Sequence, residues 1–278
     1  MASITDCVVE GLKYPFTNIK KILGIGVLFA LVSALSTVIG IKSFDIFRMS
    51  IHLVENTNST VSQIPFSQLP AGDIYLVVGL SVISFIVGLF ILGYQYDVVK
   101  FSIDRKADLP GFNDIAGLLV RGIKYLIVTV AYYIIPVIVW TAGIAFAGDS
   151  SVFIIVSLIA GLLFIIAYFL TIIAVNNMVA YGSIKKAFDF REITDNIASL
   201  GWGKYIGIVL FTVIVMMIIS VAVGIILSFI TVAFAAVINN QAVIISIVIA
   251  IIEGLFIDSY MTVFFSRVCG SIYRESIK

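Results

Sequence analysis

The sequence is poor in charge, cysteine and histidine, and each scarcity excludes a class of protein. Only 12% of the 278 residues are Asp, Glu, Lys or Arg, whereas a soluble domain carries roughly a quarter. The single histidine, His52, and the two cysteines, Cys7 and Cys269, lack the spacing of a metal site or a catalytic cluster. A net charge of +1 offers no basic patch for nucleic acid. We therefore expect no catalytic residue, metal, cofactor or nucleic-acid partner.

What the sequence has instead is long apolar runs. Hydrophobic residues make up 61% of the chain and the mean hydropathy is +1.17. An apolar stretch of about 20 residues can cross the bilayer core as a helix. The stretches that qualify predict six spans: Ile22–Ile41, Ile74–Gly93, Tyr125–Ala147, Val152–Val175, Tyr205–Ile238 and Ala242–Phe265.

The fifth stretch is oversized, and it can be interpreted in two ways. As one helix it would be about 50 Å long and would have to tilt, bend or project from the bilayer. As two spans it would need a turn near Gly224, where no polar turn sequence exists. We predict one helix, either continuous or kinked at Gly224.

The distribution of Lys and Arg sets the orientation. With both termini in the cytoplasm, fifteen of the seventeen basic residues fall on the inner side, and only Lys42 and Arg48 fall outside. We expect a multi-pass protein of the cell membrane with cytoplasmic N- and C-termini. Cys7 and Cys269 would then stay reduced as free thiols.

The stretch from Lys42 to Asp73 is predicted to be the one sizeable external loop. It carries His52 and one acceptor sequence for glycosylation, Asn58-Ser59-Thr60. Asn58 could receive a glycan in a cell that glycosylates surface proteins, or it could stay unmodified in a polar loop.

Short motifs recur three times along the chain. Each odd-numbered span follows a short amphipathic segment that opens with a helix-capping pair: Thr5-Asp6, Asn113-Asp114 and Thr194-Asp195. A Lys-Tyr pair closes each segment, and a Ser-Ile pair follows each even-numbered span. The spacing predicts one integral membrane domain of three pseudo-repeats, approximately 1–106, 107–190 and 191–278.

Three motifs carry a resemblance to a known family. They are Lys13-Tyr14-Pro15, Leu109-Pro110-Gly111-Phe112, and the run from Arg267 to Tyr273. With them the chain resembles an uncharacterised, mostly archaeal family of multi-pass membrane proteins, domain of unknown function 4013. More distantly, the layout is similar to the membrane domain attached to some glycerophosphodiester phosphodiesterases, without their catalytic domain. The resemblance implies the architecture and no activity.

Two acids interrupt the sixth span. Glu253 lies near its middle, and Asp258 lies about 140° around an α-helix from it. Ser246 and Tyr260, seven residues to either side of Glu253, would share its stripe. An acid at this depth is either part of an ion, proton or substrate path, or a protonated group hydrogen-bonded to a neighbouring helix. We weigh the structural interpretation above the path.

Other polar residues give weaker predictions. An enzyme would need an inner-face cluster of residues such as Asp97, Asp104 and Asp189, and no known catalytic motif occurs. Asn176 and Asn177 are expected to cap the end of the fourth span. Packing or interfacial positions are expected for three aromatic residues: Tyr132, Tyr133 and Trp140.

We therefore predict an all-α bundle of about six transmembrane helices, arranged as three hairpins with amphipathic helices along the cytoplasmic face. The favoured function is a non-enzymatic module that organises membrane lipids or a membrane partner, either another protein or a second copy. The alternative is a small carrier or channel with a polar path past Glu253.

Overall fold

A computed structural model describes residues 4–57, 68–146, 150–237 and 242–277. All regular secondary structure within these ranges is helical. The short helices are α1 (Ile4–Lys13) and α6 (Phe190–Leu200). The long ones are α2 (Ile19–Thr57), α3 (Ala71–Ile103), α4 (Ile115–Phe146), α5 (Ser150–Tyr181) and α7 (Trp202–Val237). The last run consists of α8 (Ala242–Ile252), a π-helical turn (Glu253–Asp258) and α9 (Ser259–Ser276).

Six of these helical runs are long and apolar enough to cross a membrane. The predicted all-α fold with six spans is therefore confirmed, and by composition and length the chain is a multi-pass membrane protein. Helix α7 covers the oversized fifth stretch as one helix through Gly224, because Gly224 carries no turn sequence around it.

The predicted outer loop is wrong over much of its length. Helix α2 continues through Lys42 and ends at Thr57, and α3 begins at Ala71. Residues 41–57 contain neither glycine nor proline, so nothing in that stretch stops a helix already under way. Lys42 Nζ pairs with Asp73 Oδ1 at 3.0 Å.

The sixth span is also longer than predicted. The helical run continues past Phe265 to Ser276 and carries Arg267 and Arg274 with it. Arg267 is only 5% exposed. From the sequence we predict an ordinary basic residue of the inner face. In the structure the side chain is buried, and each of its three nitrogens donates a hydrogen bond.

Of the predicted helix caps, the one on α4 is confirmed and the one on α6 is wrong. Asp114 does cap α4, since its Oδ1 accepts a hydrogen bond from Gly117 N at 2.8 Å. The segment behind it runs on as α4 and does not form a separate short helix. For α6 the predicted cap is wrong: Asp189 accepts from Glu192 N at 3.3 Å, while Thr194 lies inside the helix. Asp189 directly precedes the first helical residue, which is where a capping carboxylate is needed.

The chain groups into two compact units. The first contains residues 1–22, 92–218 and 261–278, and the second contains residues 23–91 and 219–260. The first unit holds α1, α4, α5 and α6 entire, with parts of the other long helices. The threefold repeat and the single-domain organisation stay predictions.

Candidate functional site

Helices α4 and α5 in the first unit present two different faces, and each face lines a cavity. On α4, Tyr125, Thr129 and Tyr133 recur every four residues and so share one side of the helix. On α5, Tyr168 and Asn176 stand eight residues apart and share a side in the same way. These two sides form the wall of a polar cavity.

The polar cavity has a volume of about 150 Å³ and is partly open. Besides α4 and α5, helix α9 lines it through Phe265, Ser266 and Cys269, and α3 lines it through Val99. No charged side chain is among the described residues that line it. The remaining lining side chains are Thr171, Ile172 and Val175.

Asn176 is the most constrained polar side chain of this cavity. It has 0% exposure, and its Nδ2 donates both to Ile172 O at 2.8 Å and to Cys269 O at 3.1 Å. These two bonds fix the amide orientation, so the other atom, Oδ1, is an acceptor. Oδ1 is buried and has no hydrogen-bond partner in the described chain. A buried acceptor without a partner is costly and calls for a donor.

Asn176 and Asn177 do not cap the end of a span, contrary to the sequence-based prediction. Helix α5 continues to Tyr181, so both lie inside it and both are fully buried. Asn177 Oδ1 accepts from Asn196 Nδ2 of α6 at 3.1 Å. This contact between two amides joins α5 to α6.

The three cavity tyrosines, which are half-buried, differ from the buried Tyr94, Tyr132 and Tyr205 of the same unit. The hydroxyls of Tyr94, Tyr132 and Tyr205 donate to backbone carbonyls. The hydroxyls of Tyr125, Tyr133 and Tyr168 make no hydrogen bond to any described residue. The cavity is thus lined by phenol groups whose hydrogen-bonding capacity is unused.

The opposite face of the same helix pair lines an apolar cavity of about 220 Å³. Tyr132 contributes the ring wall, and its hydroxyl is satisfied by Ala187 O at 2.6 Å. Phe188 stacks on that ring at 6.0 Å between centroids, and Phe190 lies at the same distance. The other lining residues are Ala131, Ile135, Pro136, Leu163, Ile166, Ala167 and Leu170.

A charged cluster in the first unit joins α1 to α9. Arg267 Nη2 and Nε contact Glu10 Oε1 at 2.7 and 3.0 Å, and Arg274 Nη2 contacts Oε2 at 2.9 Å. Arg267 Nη1 also donates to Lys106 O at 2.8 Å, and its guanidinium lies over the Tyr14 ring at 4.1 Å. The buried guanidinium is therefore compensated by a carboxylate, a carbonyl and an aromatic face.

The cluster changes the titration of Glu10. Burial by itself would raise the pKa of this carboxyl, but the hydrogen bonds and charges of Arg274 and Arg267 outweigh it and hold the pKa below its ordinary value of 4.5. Glu10 is therefore ionised wherever the fold is populated near neutral pH.

The acids considered for an enzyme have separate partners. Asp97 Oδ1 pairs with Arg121 Nε at 2.8 Å, and Arg121 also pairs with Asp114 at 2.9 Å. Asp189 caps α6 and pairs with Lys186 at 3.3 Å. Asp104 follows the last turn of α3, where its N donates to Lys100 O at 2.9 Å. Asp97 and Asp189 thus belong to different ion-pair groups.

The acids of the sixth span lie in the second unit, at the two ends of the π-helical turn. The i→i+5 hydrogen bonds of such a turn place residues five apart on the same side of the helix, so the 140° separation predicted for an α-helix does not apply to Glu253 and Asp258. Glu253 is exposed and makes no ion pair or hydrogen bond with a described residue. Asp258 Oδ2 accepts from Ser33 Oγ at 3.3 Å.

The turn is accompanied by close backbone packing. A Cβ on Gly254 would lie 2.7 Å from Phe29 O, and one on Gly26 would collide with Leu255 O. Gly254 and Gly26 therefore let the backbones of α2 and the turn touch.

The other two residues of the predicted stripe lie outside the turn. Ser246 is exposed on α8 and Tyr260 is half-buried on α9, and both take part in further contacts.

The remaining predicted residues lie toward the other end of α2. His52 lines a partly open cavity with Asp45, Arg48 and Asp73 in the second unit. Asn58, the glycosylation candidate, lies outside the described residues.

Sequence reasoning missed both cavities because it searched for charge and catalytic motifs. The available signal was periodicity: three hydroxyl side chains every four residues on α4, and an asparagine in the apolar run of α5. Helix α9, from a distant part of the chain, completes the polar cavity, and no local sequence pattern predicts that contact.

Comparisons with known proteins place the chain among uncharacterised relatives. The sequence profile of a family described as "Protein of unknown function (DUF4013)" matches residues 76–229. Uncharacterized protein MJ0233 of Methanocaldococcus jannaschii is 28% identical over 99% of this chain and 98% of its own length. Uncharacterized protein MJ1189 of the same organism is 25% identical over 95% and 94%. No solved structure matches.

Proposed function

The chain belongs to the DUF4013 family of membrane proteins of unknown function, and from that premise we propose that it is a non-enzymatic membrane module that accommodates lipid acyl chains. The observation that carries the proposal is the apolar cavity between α4, α5 and the segment around Phe188 and Phe190. Its volume of about 220 Å³ would take part of an acyl chain.

The chemistry of the lining supports a hydrocarbon occupant. Nine of its ten side chains are hydrocarbon, and the Tyr132 hydroxyl already donates to Ala187 O. A polar ligand would therefore find no partner there, whereas an acyl chain needs none. Affinity would come from close packing, since lipid tails and Leu side chains are equally apolar.

A cation stands near this lining. Lys185 belongs to the same short 3-10 turn, Ile184–Phe188, as Phe188, and its side chain is exposed. One lipid could therefore place its anionic headgroup beside Lys185 and its acyl chain in the cavity.

The proposal includes the setting in the cell. The Lys and Arg distribution favours both termini in the cytoplasm of a cell-membrane protein. Helices α1 and α6 would then lie along the cytoplasmic surface as amphipathic helices. A partner protein or a second copy would share the lipids that the module holds.

Retention of lipid by the purified protein tests the proposal. Ala167→Phe would fill the apolar cavity, and Leu162→Phe, at an exposed position of the same helix, is the matched control. Native mass spectrometry after repeated detergent exchange should show bound lipid on the wild type and the control. We expect Ala167→Phe to lose it. Equal retention by all three proteins would contradict the proposal.

One observation favours a second candidate, a carrier or channel with a path past Glu253. Glu253 is exposed in a membrane-spanning run and stands at the start of a π-helical turn. Ionisable residues at membrane depth and π-helical turns both concentrate at functional positions.

Thiol labelling in intact membranes tests that candidate. In a chain without Cys7 and Cys269, a single cysteine would replace Glu253, and a second variant would place it at Phe256, another exposed position of the turn. A membrane-impermeant reagent that modifies position 253 and not 256 would support an aqueous path. No modification at 253 would exclude it.

A further inference from the structure

We propose that the polar cavity between α4, α5 and α9 binds a small, uncharged, hydroxyl-bearing ring of about the size of phenol. The site is distinct from the apolar cavity, because it lies on the opposite face of the same helix pair and shares none of its lining residues.

The size of the cavity sets the size of the ligand. Its volume is about 150 Å³, which is close to that of the engineered protein cavity that takes up benzene. A six-membered ring with one or two substituents therefore fits, and a larger headgroup does not.

The walls favour a flat ring. Tyr125, Tyr133, Tyr168 and Phe265 all line the cavity. The rings of Tyr168 and Phe265 lie nearly parallel, with 25° between their planes and 6.4 Å between centroids. Flat aromatic walls offer stacked and edge contacts to a bound ring.

The polar groups require a hydroxyl or N–H donor on the ligand. Asn176 Oδ1 is an acceptor of fixed orientation with no partner in the described chain, because both donors of the amide bind backbone carbonyls. The unused hydroxyls of Tyr125, Tyr133 and Tyr168 can donate to the ligand's oxygen or accept from it. A ligand with a hydroxyl group meets both needs.

The absence of charge in the lining excludes an ionic ligand. Among the described residues around the cavity there is no carboxylate to pair with an ammonium group and no cation to pair with an anion. A charged ligand would lose its hydration without compensation. Phenol is neutral at pH 7, because its hydroxyl titrates near the tyrosine value of about 10.

Protection of Cys269 measures occupancy directly, since this thiol lines the cavity. With Cys7 changed to serine, the rate at which methyl methanethiosulfonate modifies Cys269 would be followed in detergent at rising phenol concentration. We expect roughly tenfold slowing at saturation, and little slowing by fluorobenzene, which has the shape but no hydroxyl, or by benzylammonium. The matched control is Cys269→Ser, which leaves only Cys7, also buried but outside the cavity.

Two variants test the hydroxyls without emptying the cavity. Tyr133→Phe and Tyr168→Phe keep the rings and remove hydroxyls that no described residue uses, so the fold should be unaffected. Each should weaken phenol binding by about 5- to 10-fold, as expected for one hydrogen bond. Tyr132→Phe, on the other face of α4, should leave phenol binding unchanged.

Several results would overturn the proposal. Equal protection by phenol and fluorobenzene would show simple partitioning, and equal slowing at Cys7 would show an effect of the micelle. If the thiols prove too slow to modify, the thermal shift with phenol replaces the rate. An equal rise of the melting temperature with phenol in the wild type and both Tyr→Phe variants would then refute the site. The absence of any rise would refute it as well and would indicate a cavity filled by water.

A free ring and a ring at the head of a membrane lipid present the same chemistry. Solvent extracts of protein purified from its own membranes, analysed by mass spectrometry, separate these sources. A hydroxylated ring on a lipid tail, absent from the extract of Tyr133→Phe/Tyr168→Phe, assigns the lipid source. Phenol binding without such a lipid assigns the free molecule.

Discussion

The two units of this protein surround an ionisable side chain of one long helical run in opposite ways. In the first unit, Arg267 of α9 is 5% exposed, and Glu10, a backbone carbonyl and the Tyr14 ring surround it. In the second unit, Glu253 stands exposed at the start of the π-helical turn, without an ion pair to any described residue. Both residues belong to the helical run that begins at Ala242.

The difference separates a structural charge from one that is available for another role. A buried ion pair holds two elements together, and removal of one partner leaves a charge that nothing compensates. An exposed acid that pairs with no described residue contributes little to the packing of its own unit. Burial and partners, which the sequence does not display, decide between these roles.

The largest effect is expected at Glu10. Glu10→Gln removes the carboxylate that faces both Arg267 and Arg274, and should lower the free energy of unfolding by about 2–3 kcal/mol, somewhat below a fully buried pair because Glu10 is partly exposed. Unfolding in mixed detergent micelles measures the loss. Asp108→Asn, which weakens the exposed pair with Lys21, is the control and should cost below about 1 kcal/mol. Equal losses of unfolding free energy in Glu10→Gln and Asp108→Asn would contradict a special structural role for the buried ion pair.

The second unit should depend on its glycines more than on its acids. Gly26→Ala would push a methyl group against the backbone carbonyl of Leu255, and should cost about 1–3 kcal/mol. Gly40→Ala on the same helix meets no atom within 4 Å, so it should stabilise α2 by up to about 1 kcal/mol. The same unfolding assay measures both. A gain at both positions would contradict the close packing of α2 on the turn.

The pH dependence should follow Glu10. Its pKa in the folded protein lies below the ordinary value of 4.5, so its contribution to stability is fully present above that value and is lost as pH falls through the folded-state pKa. The stability gap between the wild type and Glu10→Gln should therefore narrow below about pH 4. Unfolding curves at several pH values measure the gap, and a gap that is constant down to the acid limit would contradict this assignment.

The smallest effect is expected at Glu253. Glu253→Gln replaces an exposed acid with which no described residue pairs, so the free energy of unfolding should change by less than about 0.5 kcal/mol. A loss as large as that of Glu10→Gln would show that Glu253 has a structural partner and would erase the contrast between the units.

The fold was largely predictable from the sequence, because long apolar runs have one stable arrangement in a bilayer. Helix ends were predicted poorly. No glycine or proline between Ile41 and Thr57 stops a helix, so α2 continues beyond its apolar run. Helix α9 likewise continues past Phe265, and Arg267 can be buried there because α1 provides Glu10 as its partner. Apolarity marks where a helix must cross, while breakers and tertiary partners decide where it ends.

The cavities were less accessible to sequence reasoning. Asn176 was expected at a helix end because asparagine commonly stands there, yet the backbone carbonyl of Cys269 gives its amide a partner in the interior. The acids of the sixth span attracted attention through their charge, and the π-helical turn that realigns them has no local sequence signature.

The placement of the two cavities has a consequence for synthesis. All residues that line the apolar cavity have been made once the chain reaches Phe190, so it can be complete while the last third of the protein is still on the ribosome. The polar cavity waits for Phe265, Ser266 and Cys269, and until they arrive the Asn176 amide lacks the Cys269 carbonyl. One helix pair thus acquires its two cavities at different times, the apolar one first.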